Sequence, residues 1–108
     1  MSFLLRFTAG AHNDLRRIER YIRESDSIET ANYVVKEILF AAMKLRELPD
    51  RGAHPQELLQ LGNRAYRQVF FKPYRILYRI QANIVFIAVI ADGRRDMNSL
   101  LMRRLTEK

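Results

Sequence analysis

Residues 64–91 read RAYRQVFFKPYRILYRIQANIVFIAVIA and contain three successive strand patterns. Residues 64–71 are interpreted as a strand, and apolar and polar residues alternate well over 74–80, which is the period of a half-buried strand. The third segment, 84–91, is apolar on both faces and is typical of a central strand that is covered on both sides. The connections between the segments are short, so we expect neighbouring strands to pair antiparallel.

The part of the chain before these strands has the pattern of two helices joined by a short break. Apolar residues at helical spacing run from Ala11 to Ile22, and Thr8 is a suitable N-cap for this helix. A second helical stripe runs from Ala31 to Leu48 and is expected to end there because a proline follows. Asp26 stands three residues before a glutamate, which is the spacing of a capping box for the second helix. Two helices joined so closely predict an antiparallel hairpin.

The order of elements predicts an α+β fold. Residues 2–7, SFLLRF, predict a short strand ahead of the hairpin, and Asp96 is a candidate cap for a short final helix. The hairpin must bury its apolar stripe on one face of the sheet, and the first strand is expected to return beside the last ones. We therefore predict a single domain over residues 1–108, with two layers and a mainly antiparallel sheet of about four strands.

Composition excludes several kinds of protein. The chain has 108 residues, of which 48% are hydrophobic and none is cysteine. This hydrophobic content fits a folded globule, and the lack of cysteine rules out disulfides and thiolate zinc sites. The apolar stretch near the N-terminus, Phe3 to Leu5, is too short for a signal peptide or a membrane span. We therefore expect a cytoplasmic protein.

The positive charge is concentrated in the last two-fifths of the chain. The formal net charge is +7, and 15 of the 19 basic residues are arginine. Residues 1–63 hold nine basic and nine acidic residues, whereas residues 64–104 hold nine basic and two acidic ones. Arginine presents a planar fork of donors that suits carboxylate or phosphate. We therefore expect an acidic partner and one contiguous cationic surface, built by the packed strands, that serves docking and not bond cleavage.

The strand at 74–80 has two different faces. Its alternation puts two tyrosines and two isoleucines on one face, which we predict to be core. Arg75, Leu77 and Arg79 lie on the other face. That second face is either a solvated sheet face or the floor of a groove that accepts a partner segment.

These elements and their local motifs resemble the RelE/ParE superfamily of toxins from bacterial type II toxin–antitoxin pairs. The resemblance covers most of the chain, and it depends on the order and spacing of the motifs together. The matching positions are Phe7-Thr8, Ala11, Asp14-Leu15, Ile18 to Ile22, Leu48-Pro49, Gly52, Tyr66-Arg67, Tyr74 to Arg79, Ile87 to Val89, Gly93 to Asp96 and Leu100-Leu101. The long helical hairpin and the lack of RNase machinery are more similar to the ParE branch.

The resemblance implies a toxin that inhibits DNA gyrase by binding it, is neutralised by a cognate antitoxin, and uses no cofactor and no metal. An antitoxin tail would add a strand to an open sheet edge or lay a helix in a groove. RelE-like members of the superfamily are ribosome-dependent mRNA endonucleases, which is the alternative function. A plain basic nucleic-acid-binding module is a third possibility.

The chain shows no obvious proton-transfer group for RNA cleavage. Attack by a 2′-hydroxyl needs a base, an acid and cations. RelE-like enzymes tend to place a Tyr or His beyond the last strand, whereas residues 92–108 contain neither. Arginine stays protonated and cannot act as a general base. His12 and His54 are interpreted as surface or loop residues, which leaves Tyr66 and Glu57 as the substitutes to consider.

We therefore predict no catalytic residue. The candidate partner-binding residues are the arginines of the basic segment, namely Arg64, Arg67, Arg75, Arg79, Arg94, Arg95, Arg103 and Arg104. Two of them, Arg94 and Arg95, directly follow the last strand. They either bind the partner or orient the final turn through Asp96.

Overall fold

A computed structural model describes residues 2–106 and confirms the α+β fold class. The described part of the chain contains four strands, four helices and two short 3₁₀ turns. The strands are β1 (Leu4–Phe7), β2 (Tyr66–Phe71), β3 (Tyr74–Gln81) and β4 (Ile84–Asp92). The helices are α1 (Ala9–Ser25), α2 (Ile28–Met43), α3 (Gln56–Leu59) and α4 (Met97–Thr106). None of the helices described between residues 2 and 106 has the length and apolar character of a membrane span.

The sheet has the order β1-β4-β3-β2. Strands β2, β3 and β4 form an antiparallel meander, as their short connections predict. The first strand returns beside the last one and pairs with it in parallel, from Leu4 opposite Ile84 to Phe7 opposite Ile87. The strand that is apolar on both faces is therefore an inner strand of the sheet, which confirms the prediction for 84–91.

A β-bulge in β4 changes which residues face which side of the sheet. Tyr78 pairs with Ile87 and Leu77 pairs with Val89, so Ala88 has no partner in β3. Before the bulge Ile87 packs beneath the helical hairpin, and after it Val89 faces the opposite side. An extra residue on one strand has this effect because side chains alternate between faces.

The helical hairpin covers the first face of the sheet. Ala11 of α1 and Ile38 of α2 pack with Ile76, Tyr78 and Ile87, and all five are fully buried. Thr8 is the N-cap of α1, since its Oγ1 accepts a hydrogen bond from the backbone N–H of Ala11 at 3.1 Å. The predicted hairpin and its first cap are thus confirmed.

Two predicted boundaries of the second helix are wrong. Ser27 caps α2, accepting from the N–H of Thr30 at 3.0 Å, whereas Asp26 ends α1 through its backbone N–H. The helix ends at Met43 and not at Leu48, and a 3₁₀ turn follows. In that turn Arg46 exchanges hydrogen bonds with the backbone of residue 3, so pairing with the chain's start overrides the helical pattern.

Helices α3 and α4 cover part of the second face. Leu58 of α3 and Met97, Leu100 and Leu101 of α4 pack on Leu77, Val89 and Ala91. The prediction that this face would be solvated, or would form a groove floor, is therefore wrong at Leu77, which is fully buried. Asp96 caps α4 as predicted, because its Oδ1 accepts from the N–H of Ser99 at 3.2 Å.

A buried ion pair completes the edge of β4 beyond the end of β1. Asp14 is 5% exposed, and its Oδ2 accepts a hydrogen bond from the backbone N–H of Ile90 at 2.9 Å. Its Oδ1 accepts from Nη1 of Arg104 at 2.8 Å, and Nη2 of Arg104 donates to the carbonyl of Ala88 at 3.0 Å. The side chain of Arg104 passes over Gly10, where an added Cβ would lie 2.5 Å from Nη2. One carboxylate therefore joins α1, β4 and α4.

We predict that Asp14→Ala lowers the free energy of unfolding by about 3 kcal/mol, because it leaves a largely buried guanidinium without its counter-charge and the backbone N–H of Ile90 without its acceptor. Urea denaturation at neutral pH measures this change. Arg17→Ala is the matched control: its guanidinium also contacts Asp14, at 3.2 Å, but is 71% exposed. A loss for Asp14→Ala no larger than that for Arg17→Ala would contradict the assigned role.

Candidate partner-binding surfaces

Two of the eight predicted arginines belong to the folded framework. Arg104 is held by Asp14, and its side chain is 16% exposed. Arg75 is 11% exposed and donates from both terminal nitrogens to Glu57, at 2.7 and 2.8 Å. Its Nε also donates to Oε1 of Gln68 at 2.8 Å. Such a bidentate, largely desolvated pair fixes α3 against the sheet.

The ion pair with Arg75 also removes Glu57 from the possible general bases. The hydrogen bonds from Arg75 hold the pKa of Glu57 below its ordinary value, outweighing the opposing effect of burial. A carboxylate with a lowered pKa is a weak base. The other substitute, Tyr66, packs half-buried against the cluster formed by α3 and α4.

Arg67 and Tyr78 hold the loop that joins the hairpin to α3. Arg67 donates from Nη1 to the carbonyls of Asp50 and Gly52, at 3.2 and 2.8 Å. The hydroxyl of Tyr78 donates to the carbonyl of Pro49 at 2.6 Å and accepts from the N–H of Gly52 at 3.1 Å. Burial raises the pKa of Tyr78. This phenol is therefore a structural anchor whose proton already has an acceptor.

A first cleft, which we call the β4 cleft, lies between α1 and the end of β4. It has a volume of about 390 Å³. Its lining includes Arg17, Ile18, Tyr21, Tyr74, Ile90, Asp92, Arg94 and Arg95. The helical stripe predicted Tyr21 to be core, but it is 70% exposed at this cleft. The cleft thus combines apolar side chains with a cationic rim.

The rim arginines of the β4 cleft differ in their pairing. Arg94 binds Asp92 through Nε and Nη2, at 2.9 and 2.6 Å, and these hydrogen bonds lower the pKa of Asp92. Arg95 is exposed and makes no side-chain hydrogen bond or ion pair within residues 2–106. Arg94 therefore orients the turn by binding Asp92. It does not bind Asp96, which caps α4 instead.

A second cleft, which we call the loop cleft, lies at the other end of β3. It has a volume of about 400 Å³ and is lined by Asp50, His54, Arg64, Ala65, Arg67, Tyr78, Arg79 and Ile80. Tyr74 at the first cleft and Arg79 at the second are five residues apart, or about 17 Å along the strand. The prediction of one contiguous cationic surface is therefore wrong: the accessible arginines divide between the two ends of the sheet. The last candidate, Arg103, is exposed on α4.

Exposed aromatic side chains form a further surface on the outer side of α2 and on β2, the edge strand. Tyr33, Phe40 and Phe70 are 57%, 57% and 53% exposed. The ring of Tyr33 meets that of Phe71 edge-on at 6.1 Å, and the ammonium of Lys44 lies 4.5 Å from the centre of the Phe40 ring. Apolar surface of this kind marks interaction sites. The sequence did not single out these residues, because their spacing on α2 blends with that of the core stripe.

A sequence model of the family described as ParE toxin of the type II toxin–antitoxin system parDE matches residues 5–97. The chain belongs to the ParE toxin family. This confirms the predicted superfamily and its ParE branch, and it makes the chain a type II toxin by family. No curated protein sequence matches this ParE-family chain.

Solved structures from both branches of the superfamily have a similar fold. A chain of the chromosomal ParDE system from P. aeruginosa aligns at a TM-score of 0.71 and 21% identity, over 84% of this chain and 96% of that one. A chain of the RelBE2 toxin–antitoxin complex from Mycobacterium tuberculosis aligns at 0.62 and 19%, over 85% and 99%. A mutant of the E. coli toxin RelE in the free state aligns at 0.63 and 13%, over 99% and 100%. At these low sequence identities, the structural similarity shows a shared fold and nothing further.

We predict that Glu57→Gln lowers the stability of the ParE-family chain at neutral pH by about 1–2 kcal/mol, because Arg75 loses its charged partner. The pKa of Glu57 is lowered from 4.5 in the folded state, so its contribution is present above that pH and is lost as the pH falls through the folded-state pKa. Thermal unfolding between neutral and strongly acidic pH should show the two proteins converging in acid.

Glu24→Gln, at an exposed position of α1, is the control for this experiment. A stability difference between wild type and Glu57→Gln that stays constant over the whole pH range would show that the ion pair does not contribute as described.

Proposed function

We propose that this ParE-family toxin acts by binding DNA gyrase, without breaking a bond, and that a cognate antitoxin neutralises it by occupying the exposed cationic and apolar surfaces. The family match over residues 5–97 is the observation that carries this proposal. Gyrase is the target implied by the ParE branch, and the geometry supports the binding mode. The predicted cytoplasmic location agrees with such a target and is part of the proposal.

The arrangement of ionisable groups favours docking over catalysis on the sheet. Glu57 and Tyr78 are committed to Arg75 and to the loop backbone, and Tyr66 is packed under α3 and α4. The face that carries Arg75 is partly covered by α3 and α4, so a ribosome-dependent endonuclease of the RelE type would find Arg75 already paired and no free base beside it. Among residues 2–106, no three His, Asp or Glu side chains gather to hold a metal ion.

An acidic antitoxin segment fits the β4 cleft. Of its charged lining residues, Asp14 and Asp92 are already neutralised by Arg104 and Arg94. Arg17 and Arg95 remain exposed on the rim, and Ile18 with Tyr21 supplies apolar contact. The neighbouring structures titled ParDE and RelBE2 come from toxin–antitoxin systems, which supports a protein antitoxin as the partner.

The purified toxin is expected to inhibit gyrase-catalysed supercoiling at micromolar concentration, in proportion to the toxin present, because inhibition depends on a stoichiometric complex. Conversion of relaxed plasmid measures this, with heat-denatured toxin as the control. Full supercoiling activity at micromolar toxin would argue against gyrase as target. Phased cuts in mRNA from a translating extract would favour the endonuclease alternative.

The charge reversal Arg94→Glu/Arg95→Glu is expected to weaken antitoxin binding by about tenfold or more, because it replaces attraction on the cleft rim with repulsion. A small acidic protein encoded beside the toxin gene is the antitoxin we expect, and isothermal titration calorimetry measures its affinity. Lys36→Glu/Arg51→Glu, which reverses two exposed charges that do not line this cleft and so changes the net charge by the same amount, is the control. Equal affinity of the double variant and wild type would remove the β4 cleft from the antitoxin interface.

A further inference from the structure

The loop cleft has a lining that the proposed antitoxin contacts at the β4 cleft do not include. It brings His54 together with Arg64, Arg67 and Arg79, and Asp50 is its only acidic lining residue. The carboxylate of Asp50 is 83% exposed and lies 3.9 Å from Nε of Arg67. Three guanidinium groups against one solvated carboxylate leave the cleft cationic.

His54 contributes a hydrogen-bond acceptor to this cationic cleft. Its Nδ1 lies 2.9 Å from the carbonyl oxygen of Tyr66. A carbonyl has no proton to donate, so Nδ1 carries the hydrogen and donates it. In the neutral imidazole the other nitrogen, Nε2, then holds a lone pair and accepts. Besides the solvated carboxylate of Asp50, the side chain of His54 therefore adds an acceptor among the guanidinium donors.

The three arginines retain donors for a ligand. Arg64 is exposed and makes no hydrogen bond or ion pair within residues 2–106. Arg67 uses Nη1 for the loop carbonyls, which leaves Nη2. Arg79 donates from Nη1 to Gln81, and its guanidinium is stacked 4.4 Å from the centre of the Phe86 ring, which limits its movement.

We propose that the loop cleft binds the ribose–phosphate backbone of single-stranded RNA. The arginines donate to the phosphate oxygens, and Nε2 of His54 accepts a hydrogen bond from a ribose 2′-hydroxyl. Arginine forks match the geometry of phosphate oxygens. Contacts to the backbone carry no base information, so binding is tolerant of sequence.

The acceptor on His54 distinguishes RNA from the other anionic ligands. Carboxylates and phosphodiesters only accept hydrogen bonds, so neither the acidic side chains of a peptide nor the sugar–phosphate backbone of DNA gives Nε2 a donor. The 2′-hydroxyl is a donor and distinguishes RNA from DNA at such a site. A backbone that alternates anionic and hydroxyl groups therefore satisfies the arginines and the imidazole together, whereas acidic side chains or a deoxyribose–phosphate backbone satisfy only the arginines.

Fluorescence anisotropy with labelled octamers of uridine and of deoxyuridine tests the proposal. The two octamers are compared at the same low salt, and the salt slope comes from repeating the titrations at several salt concentrations. Wild type is expected to bind the RNA octamer about fivefold more tightly than the DNA octamer, which is the effect of one hydrogen bond. Arg64→Ala should weaken both and should reduce the slope of log affinity against log salt by about 0.7, the value for one phosphate contact. Arg103→Ala, which removes an equally exposed arginine from α4, should change neither affinity.

The variant His54→Asn isolates the acceptor. Its amide N–H can replace Nδ1 as the donor to Tyr66, which preserves the loop, while the group at the position of Nε2 is lost. RNA affinity is expected to fall to that of DNA, while DNA affinity is unchanged. Circular dichroism and the melting temperature confirm that the variant is folded.

Equal wild-type affinity for the two octamers, or an RNA preference that survives in His54→Asn, would overturn the proposal. So would an octamer of glutamate that binds as tightly as RNA and loses affinity in Arg64→Ala, since that outcome assigns the cleft to an acidic protein. The gyrase assay reports on a different activity, so either proposal can fail without the other.

Discussion

The buried carboxylate of Asp14 is the interaction on which the arrangement of the elements depends. A charge that is 5% exposed is stable only where its lone pairs and its charge are satisfied, and here Ile90 and Arg104 do both. The sheet topology explains why β4 needs these contacts. Strand β1 has 4 residues and β4 has 9, so β4 extends past its neighbour with backbone groups that no strand pairs. Side chains from α1 and α4 take the place of the missing strand.

The pair between Asp14 and Arg104 also makes the accessible charge of the folded molecule differ from the charge distribution along the sequence. By sequence, the first 63 residues are neutral and the positive excess lies after them. In the fold, acidic residues of the neutral part reach across to the basic part: Asp14 pairs with Arg104, Asp50 approaches Arg67, and Glu57 binds Arg75. Three of the nine basic residues in the basic segment are thus paired with acids from the neutral part, and Arg94, which binds Asp92, is a fourth that is paired within the molecule. The charge that remains accessible lies at the two ends of the sheet, where strands end and loops begin.

Local patterns predicted the elements, and long-range contacts decided the rest. The strand patterns at 64–71 and 74–80 and the helical stripes identified strands and hairpin, because each pattern reports which face of a single element is buried. The bulge at Ala88, the end of α2 at Met43 and the covered face at Leu77 depend on partners distant in sequence. The same distinction between local pattern and long-range contact applies to the site residues. Arginines were found by composition, but whether one is a framework residue or a rim residue depends on which carboxylate the fold places beside it.

The covered second face also limits which activities the fold can support without rearrangement. A reaction centred on Arg75 would have to break its ion pair with Glu57 of α3. The part of this face around Leu77 is covered by α4, which is held there by its apolar residues and by the pair between Arg104 and Asp14. Removing α4 would expose the cluster around Leu77 and leave Asp14 without its partner, and both changes are unfavourable. The clefts at the two ends of the sheet are open already. Access to either cleft does not require α3 or α4 to move, whereas chemistry at Arg75 or around Leu77 would first have to break contacts that hold these helices on the sheet.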